Sequence, residues 1–521
     1  MILTNAPRIP VVAIFVVFAY ASTFFTSLGT IADDPGLGWH LATGRLIIES
    51  GEIPQTDPFL EPPRGKSGFA DTSTPRGWIC EQWLSDLVLQ ATFLLGGWPL
   101  LYALTLATYT VAFFGFASDG ARRISRTFLL GLIATVIAFK AGQVHLIIRP
   151  VMFSILLFPV VVMRAQKINQ SSDLSWSQTT REAITLGLIF TLWANMHPAF
   201  VYGLITLAIL LIASLCQGFS SGRWIRVAFL LLVSAGATVA NPRGINLYSS
   251  IGHLAGSGFL RSVTVEWRPL DLLSAEGCFI QILVLVPVAG WLLFRRVRGI
   301  TTVFDLLLAL FFVLQAVWAV RAVPFAAFAC IPLWCRLSDG VIGVPVPRCG
   351  SITQAVWRAL SSREATFASP GLTSSTVVSV IGTVIIMAFP HSVLPAPIAP
   401  KNEVLVERII SKLKEQGDYQ GIILASPDLG GALAHIGSSR FRPVLDDRTT
   451  VVGESLYRGY YACVDNPERC EDLVDVFGTT HVWAPTQSPM AIYFAANPRW
   501  SSVIRDPEMS VFRRRDLLLP R

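Results

Sequence analysis

The sequence predicts an all-α polytopic membrane bundle of about eleven transmembrane helices, followed by a small C-terminal α/β domain. Three observations predict it. Of the 521 residues, 52% are hydrophobic and only 14% are charged, whereas a soluble chain carries roughly 25% charged residues. The mean hydropathy is +0.55. Apolar runs close to the ~20 residues that cross a bilayer recur through the first 390 positions, after which the chain changes character.

The first run, 11–31, is longer than the h-region of a secretion signal, and no clear small-x-small site precedes the acidic pair that follows it. It is expected to stay as an anchor. The other ten runs lie near 96–117, 127–143, 149–163, 184–195, 198–216, 224–240, 277–294, 302–320, 322–338 and 373–390. The second has room to begin earlier, in "EQWLSDLVLQATFLLGG", and only "NMHP" separates the fifth from the sixth. Alternate loops carry fifteen basic residues, from Arg122 to Arg363, against five acidic ones. By the positive-inside rule these loops are cytoplasmic, as is the N-terminus; residues 32–85 and the C-terminus are then external. The net charge of +7 is spread over these short clusters, without zinc spacing, P-loop or basic arm, so no nucleic-acid partner is expected.

Between the first two spans lies "DDPGLGWHLATGRLIIESGEIPQTDPF", residues 33–59. Asp34 followed by Pro35 is a helix start, with a capping carboxylate and a proline at the first helical position. The helix is expected to run to about Ser50, with Gly51 in the left-handed cap, and to lie along the outer membrane surface with Trp39 at headgroup depth. Capping explains one aspartate. It explains neither the second nor His40 nearly two turns on.

The conspicuous polar residues gather at the external span ends. Asp33, Asp34 and His40 follow span one, and Glu81 and Asp86 lead into span two. Arg149 opens span four in "HLIIRP", Asn195 and His197 sit in "WANMHP", and Asn241 and Arg243 close span seven in "ANPRG". Glu266 and Arg268 lie in "VEWRPLD", and Arg321 in "WAVRAVPF". Ionisable groups near hydrocarbon need a partner or a purpose. Arginine forks bind phosphate bidentately and a nearby carboxylate serves as a general base, so the set suits a phosphate-bearing lipid substrate. Structural roles compete: Arg149 before Pro150 can snorkel, His197 can satisfy backbone broken by Pro198, "NPRG" is a good turn, and Glu266 with Arg268 can be a surface pair. Arg321, flanked by apolar segments across a very short turn, resists that reading.

Residues 340–371, rich in Pro, Ser and Arg, form a connector. Beyond it "NEVLVERIISKLKEQG" reads as an amphipathic helix with a glycine stop and "YQGIILAS" as a buried strand, with further strand-like runs at "RPVLDD" and "THVWAPT". The predicted division is a transmembrane domain over 1–392, carrying the first external loop 32–85, and an external α/β domain over 393–521. Asp446, Asp447 and Arg448 read as strand-end or turn residues. Cys463 and Cys470, flanking "VDNPER", are the candidates for a disulfide in an oxidising compartment.

At these segments the chain resembles the GT-C superfamily of membrane glycosyltransferases, in particular bacterial protein-mannosyltransferase-like members of glycosyltransferase family 39 type. The likeness runs in order through "DDPGLGWHLATGRLIIESGEIPQTDPF", "GWICEQWLSDLVLQATFLLGG", "HLIIRPVMFSIL", "LWANMHPAFVYG", "ANPRGINLY", "VEWRPLD" and "RAVPFAAF", and in the tail through "SPDLGGALAHI" and "VLDDRT". The resemblance implies a multi-pass protein of the bacterial inner membrane with its C-terminal domain in the periplasm. It also implies transfer of a sugar, with inversion, from a polyprenyl-phosphate donor to an acceptor that the residues do not identify. A catalytic carboxylate in the first external loop falls on Asp34 or Asp33, and substrate-binding roles on His40, Glu81, Arg149, His197, Arg243, Glu266, Arg268 and Arg321. Related loops often place a second acidic residue two positions after the aspartate, where this chain has Gly36. Some members bind a divalent cation, to which Glu81 and Glu266 could contribute; no tight ligand spacing supports one here, and no cofactor is expected. The competing readings are an O-antigen ligase or polymerase, whose large external loop normally comes late in the chain, and a transporter or flippase, which predicts mid-membrane polar residues and an internal repeat.

Overall fold

The computed structural model describes residues 30–64, 77–78, 80–124, 128–171, 174–217, 221–256, 258–293, 302–342, 371–437 and 439–516. The first expected span, 11–31, lies outside them apart from its last two positions, and so does most of the 340–371 connector. The remaining apolar runs are helical, and their ends show what stops them. The second run begins early, at Trp83, and breaks at Gly96 and Gly97 before resuming to Thr110, a π-helical Val111–Ala117 and Ser118–Ile124. Gly97 has φ +60°, a left-handed conformation that a side chain would strain, and Pro99 follows it.

Phe128–Gly142 forms the third helix and Val151–Gln170 the fourth, seven residues longer than expected at its C-terminal end. Arg223 closes the fourth, its guanidinium donating to the carbonyls of Asn169 (2.9 Å) and Ser171. The fifth starts at Trp176, set by a capping box of Ser175 with Gln178, and ends at Met196; the sixth is Phe200–Cys216. Ser221–Ala237, Ala275–Leu293, Val303–Trp318, Val323–Ile342 and Gly371–Ala388 follow. Among the described residues three helices are long and apolar enough to cross a membrane: Trp83–Ala121, Val151–Gln170 and Val320–Leu337. Phe200–Cys216, Ala275–Gly290, Val303–Trp318 and Ser375–Ala388 are apolar but shorter.

Packing groups the chain otherwise than by one cut after residue 392. A helical unit holds Tyr102–Ser249 and Leu260–Val393; a mixed unit holds Thr30–Leu101, Ser250–Phe259 and Leu394–Arg521. In the helical unit, aromatic rings fill the interior, with Phe113 stacked on Phe328 at 4.1 Å and Phe158 edge-on to Phe312 and Phe325. The buried Asp305 carboxylate is paired with Arg336 and accepts from Gln166, so the burial of its charge is compensated.

The mixed unit is built on a five-stranded sheet in the order β2-β1-β3-β5-β4. Its strands are β1 (Gly421–Leu424), β2 (Phe441–Pro443), β3 (His481–Pro485), β4 (Trp500–Arg505) and β5 (Met509–Arg514). β1 pairs parallel with β2 and β3, while β5 runs antiparallel to β3 and β4. Both faces are covered, so the middles of the interior strands are apolar, as in Ile422–Leu424, Val482–Ala484 and Val511–Phe512. Ile423, Trp483 and Val511 face the Lys401–Glu415 helix, and Leu424, Val482 and Phe512 belong to the opposite core. That opposite core also contains Trp39, Leu60 and Trp78 from the first loop.

Two expectations are corrected here. The Leu37–Ser50 helix starts later than expected, with Gly36 and not Asp34 at its N-cap, because Asp34 Oδ1 already accepts the Gly36 N–H at 3.2 Å in a turn. Nor is it a surface helix: Leu37 through Gly44 are all buried. Gly38 meets Gly431 of the Pro427–Ala432 helix so closely that a Cβ on Gly38 would lie 2.3 Å from the Gly431 carbonyl oxygen. The bare backbones are what let the two helices touch. Gly51 ends the helix in the left-handed conformation, as expected, its N–H reaching the Ile47 carbonyl at 2.9 Å.

Candidate functional site

The predicted residues fall into two groups, one in each unit. In the mixed unit Asp33 is exposed on a turn whose N–H bonds to the Thr30 carbonyl, and Asp34 is half-buried beside it. Both line a small cleft with Pro400, Asn402, Glu403 and Ala432 of the tail. Glu403 accepts from or donates to His435 Nδ1 at 3.1 Å; burial pushes its carboxyl above the usual range, against the pull of that histidine. Asp428 is likewise raised by burial, and the nearby Asp33 charge adds to the shift against the Ser426 hydrogen bond. The cleft is an acidic one in which a carboxylate is available to accept a proton.

His40 is 1% exposed, with Nδ1 2.6 Å from Asp86 Oδ1 and its ring against Trp39 at 3.6 Å, so it is enclosed within the fold. Glu81, half-buried, accepts from Gln82 at 3.5 Å.

The unforeseen feature of this unit is Arg448. Its guanidinium donates to Asp57 at 2.8 Å and to Asp446 at 2.8 Å, and lies 4.8 Å from the centre of the Trp78 ring, with Trp39 and Phe59 each at 5.4 Å. Burial opposes its charge, but Asp446 and Asp57 together hold it more firmly protonated than usual. Trp39 Nε1 meanwhile donates to Asp447 at 3.0 Å. The "DDR" read as a turn therefore ties the first loop to the tail. Its acid-acid-base order was visible in sequence; its partners were not. Cys463 and Cys470 are disulfide-bonded.

In the helical unit, Arg149, His197, Glu266 and Arg321 come together, joined by His145, which sequence reasoning passed over although it opens the same "HLIIRP". Pro150 starts the Val151–Gln170 helix and so leaves Arg149 on its entry turn. Arg149 is ion-paired with Glu266, each side chain 25% exposed. Arg321 stacks over Trp267, 4.3 Å from the ring centre. Two chain crossings fix this: Val320 N–H bonds to the Arg268 carbonyl at 2.9 Å, and Leu270 N–H to the Val317 carbonyl. Burial would raise Glu266, but Arg149 and the neighbouring His145, Arg321 and His197 hold its carboxyl at about 2.

The two histidines are kept neutral. Burial is the main cause for His145, lowered to about 4, and it also carries His197 well below its usual value, with Arg321 and Arg149 adding to both shifts. His197 Nδ1 accepts the Ala199 N–H at 3.1 Å and faces Ser154 Oγ at 2.9 Å, while Trp193 Nε1 donates to that hydroxyl at 2.8 Å. An accepting Nδ1 places the ring proton on Nε2. Near neutral pH the group thus carries two arginines, one carboxylate and two neutral histidines, a net single positive charge.

Arg243 and Arg268 stand differently. Arg243 lies in the turn after the Ser221–Ala237 helix, its N–H held by Asn241 Oδ1 at 2.8 Å. Arg268 is exposed and contributes its carbonyl to the crossing with Val320. Glu81 and Glu266 belong to different units, and among the described residues no group of three or more His, Cys, Asp or Glu is placed to hold a metal ion.

No family model and no curated protein matches the chain. Solved structures do match. An oligosaccharyltransferase from Archaeoglobus fulgidus, tethered to an acceptor peptide, aligns with a TM-score of 0.56 and 12% identity over 92% of this chain and 70% of its own. ArnT from Cupriavidus metallidurans aligns at 0.51 and 14% identity, over 96% of this chain and 97% of its own. The mycobacterial arabinofuranosyltransferase AftD aligns at 0.54 and 12% identity over 98% of this chain, which spans 42% of that larger protein. At these identities the likeness is one of fold: this chain has a GT-C-like fold.

Proposed function

We propose that the chain is a membrane glycosyltransferase that moves a sugar from a polyprenyl-phosphate donor to an acceptor at the external face of a bacterial inner membrane. The observation that carries this reading is the group of Arg149, Arg321, Glu266 and two neutral histidines, set in a GT-C-like fold. A lone buried ion pair has no need of a second arginine. Here a second arginine, Arg321, stands beside the Arg149–Glu266 pair, and paired arginine forks are what bind a phosphate ester.

In this reading Asp34 or Asp33 takes the proton of the acceptor nucleophile as that atom attacks the anomeric carbon. The bond from the anomeric carbon to the phosphate oxygen breaks, its electron pair leaves with the polyprenyl phosphate, and configuration inverts. Arg149 and Arg321 stabilise the charge that develops on the phosphate. A neutral His197 suits this role, because it can donate from Nε2 without adding a titrating charge near neutral pH.

The test is transfer of radiolabelled sugar from a polyprenyl-phosphate donor in membranes carrying the wild-type chain or the Asp33→Asn/Asp34→Asn double variant. Transfer by the wild type and its loss in the double variant are expected. Undiminished transfer by the double variant would remove the carboxylates from the mechanism.

A further inference from the structure

The helical unit carries a second cavity that this chemistry does not use. A groove runs between the Val151–Gln170 helix, the Val111–Ile124 segment and the Val323–Ile342 helix. It begins beside Pro159, in mid-helix, and reaches Gln170 at the helix end. Eleven residues of helix separate these two, about 16 Å at 1.5 Å per residue. That is close to half of a ~30 Å hydrocarbon core, the depth of one leaflet.

Its walls are apolar, with Ala121, Val162, Met163, Phe328 and Ile331 among them, and Arg123 and Lys167 stand at its open end. This is the end opposite Arg149, since Arg149 precedes the first residue of the same helix and Lys167 lies in its last turn. Both cations are two-thirds exposed. Arg123 pairs with Asp119 at 2.9 Å one turn earlier, and Lys167 with Glu182 at 2.9 Å. Glu182 is shared with Arg164 at 3.0 Å, so three cations face two carboxylates. The carboxylates are largely buried and fixed, but the Arg123 and Lys167 head groups stay in the open, where they can also meet a second anion. A leaflet-deep apolar slot with a surplus of positive charge at its mouth matches one ligand, a lipid with an anionic headgroup. The basic loops put this end in the cytoplasmic leaflet, where such lipids give the surface its negative potential.

We propose that this groove holds an acyl chain of an anionic phospholipid, with the headgroup phosphate at the Arg123–Lys167 mouth. The site is separate from the donor chemistry and does not depend on it.

The full chain, purified in detergent and stripped of lipid, can be titrated with phosphatidylglycerol or phosphatidylcholine of identical acyl chains and read by native mass spectrometry. One phosphatidylglycerol is expected to remain bound under conditions that strip phosphatidylcholine. The Arg123→Gln/Lys167→Gln double variant is expected to hold it roughly 20-fold more weakly, from two basic residues near a charged surface. Gly120→Leu, whose added side chain would push into the groove beside Met163 Cγ, only 3.1 Å from the Cβ position, is expected to displace the lipid without altering charge. Equal retention of the two lipids by the wild-type chain overturns the proposal, whatever the variants do. So does unchanged phosphatidylglycerol retention in a double variant that elutes as the wild type does.

Discussion

Arg448 and Asp57 form an ion pair at 2.8 Å across 391 residues of sequence, with side chains only 4% and 2% exposed. A charge so buried holds its place only while its partners do. Replacing Arg448 by Met leaves Asp57 and Asp446 facing each other without a cation, and is expected to cost about 3–5 kcal/mol of stability. Lysine is not expected to restore it, because it lacks the fork that reaches both carboxylates and the flat face that lies against Trp78. Thermal unfolding of the purified chain measures this, and a melting temperature unchanged in Arg448→Met would show the pair to be incidental.

The two neighbouring aspartates differ in what they already do. Asparagine at position 34 keeps the oxygen that accepts the Gly36 N–H, so Asp34→Asn removes charge while preserving the turn. If Asp34 is the base, turnover in this variant is expected to fall about 10²- to 10⁴-fold with folding intact, while Asp33→Asn stays within about tenfold of the wild type. The reverse ranking transfers the role to Asp33, the more exposed of the two.

Arg149 and Arg321 are expected to act on donor binding. Loss of a hydrogen bond to a charged group costs about 1.5–3 kcal/mol, so Arg149→Gln or Arg321→Gln should raise KM for the donor roughly 10- to 150-fold. Glu266→Gln makes the group more positive and is expected to leave donor binding as tight or tighter. Steady-state kinetics at fixed ionic strength distinguish this from a structural role, in which loss of either Arg149 or Glu266 would lower stability and leave KM untouched.

Acid is expected to destabilise the helical unit. His145 titrates at about 4 in the folded chain against an ordinary 6.5, so between those values the unfolded chain binds more protons and stability falls as pH falls. The contribution approaches about 3 kcal/mol at the bottom of that window. Glu266, held at about 2, acts in the same direction below an ordinary value of 4.5. Melting curves between pH 7 and pH 4 should decline, and His145→Asn should flatten the part above pH 4.5. An unaltered slope in that variant would assign the effect elsewhere.

Gly38→Ala is expected to force apart the Leu37–Ser50 and Pro427–Ala432 helices, since its Cβ falls 2.3 Å from a backbone oxygen that cannot rotate away. A loss of about 1–3 kcal/mol is the usual result of such overpacking. Protease sensitivity of the first loop should rise with it.

Local pattern was enough to locate most of the helices, because an apolar run shows its length and its ends directly. Gly51 was read as a helix stop and is one, whereas the capping box of Ser175 with Gln178 and the glycine break at 96–97 set boundaries that the apolar runs alone did not mark. The Lys401–Glu415 helix and the first three strands were equally legible, being amphipathic or continuously apolar. β4 and β5 were not: the register shift between Ser502 and Ile504 interrupts the alternation of β4, and β5 is a short apolar run that ends in Arg513 and Arg514.

The sequence by itself determined where polar groups meet the ends of apolar helices, Arg149, His197, Glu266 and Arg321 among them; that these four come together, while Asp33 and Asp34 belong to the other unit, was decided by the tertiary structure. Only the tertiary structure decided which polar residues serve the fold. Arg448 is an ordinary turn residue in sequence and His40 stands out there only as a candidate for substrate, yet their partners Asp57 and Asp86 lie 391 and 46 positions away. Burial raises the cost of an unpaired charge and so fixes such pairs firmly, but spacing along the chain carries no trace of a contact that folding alone brings about.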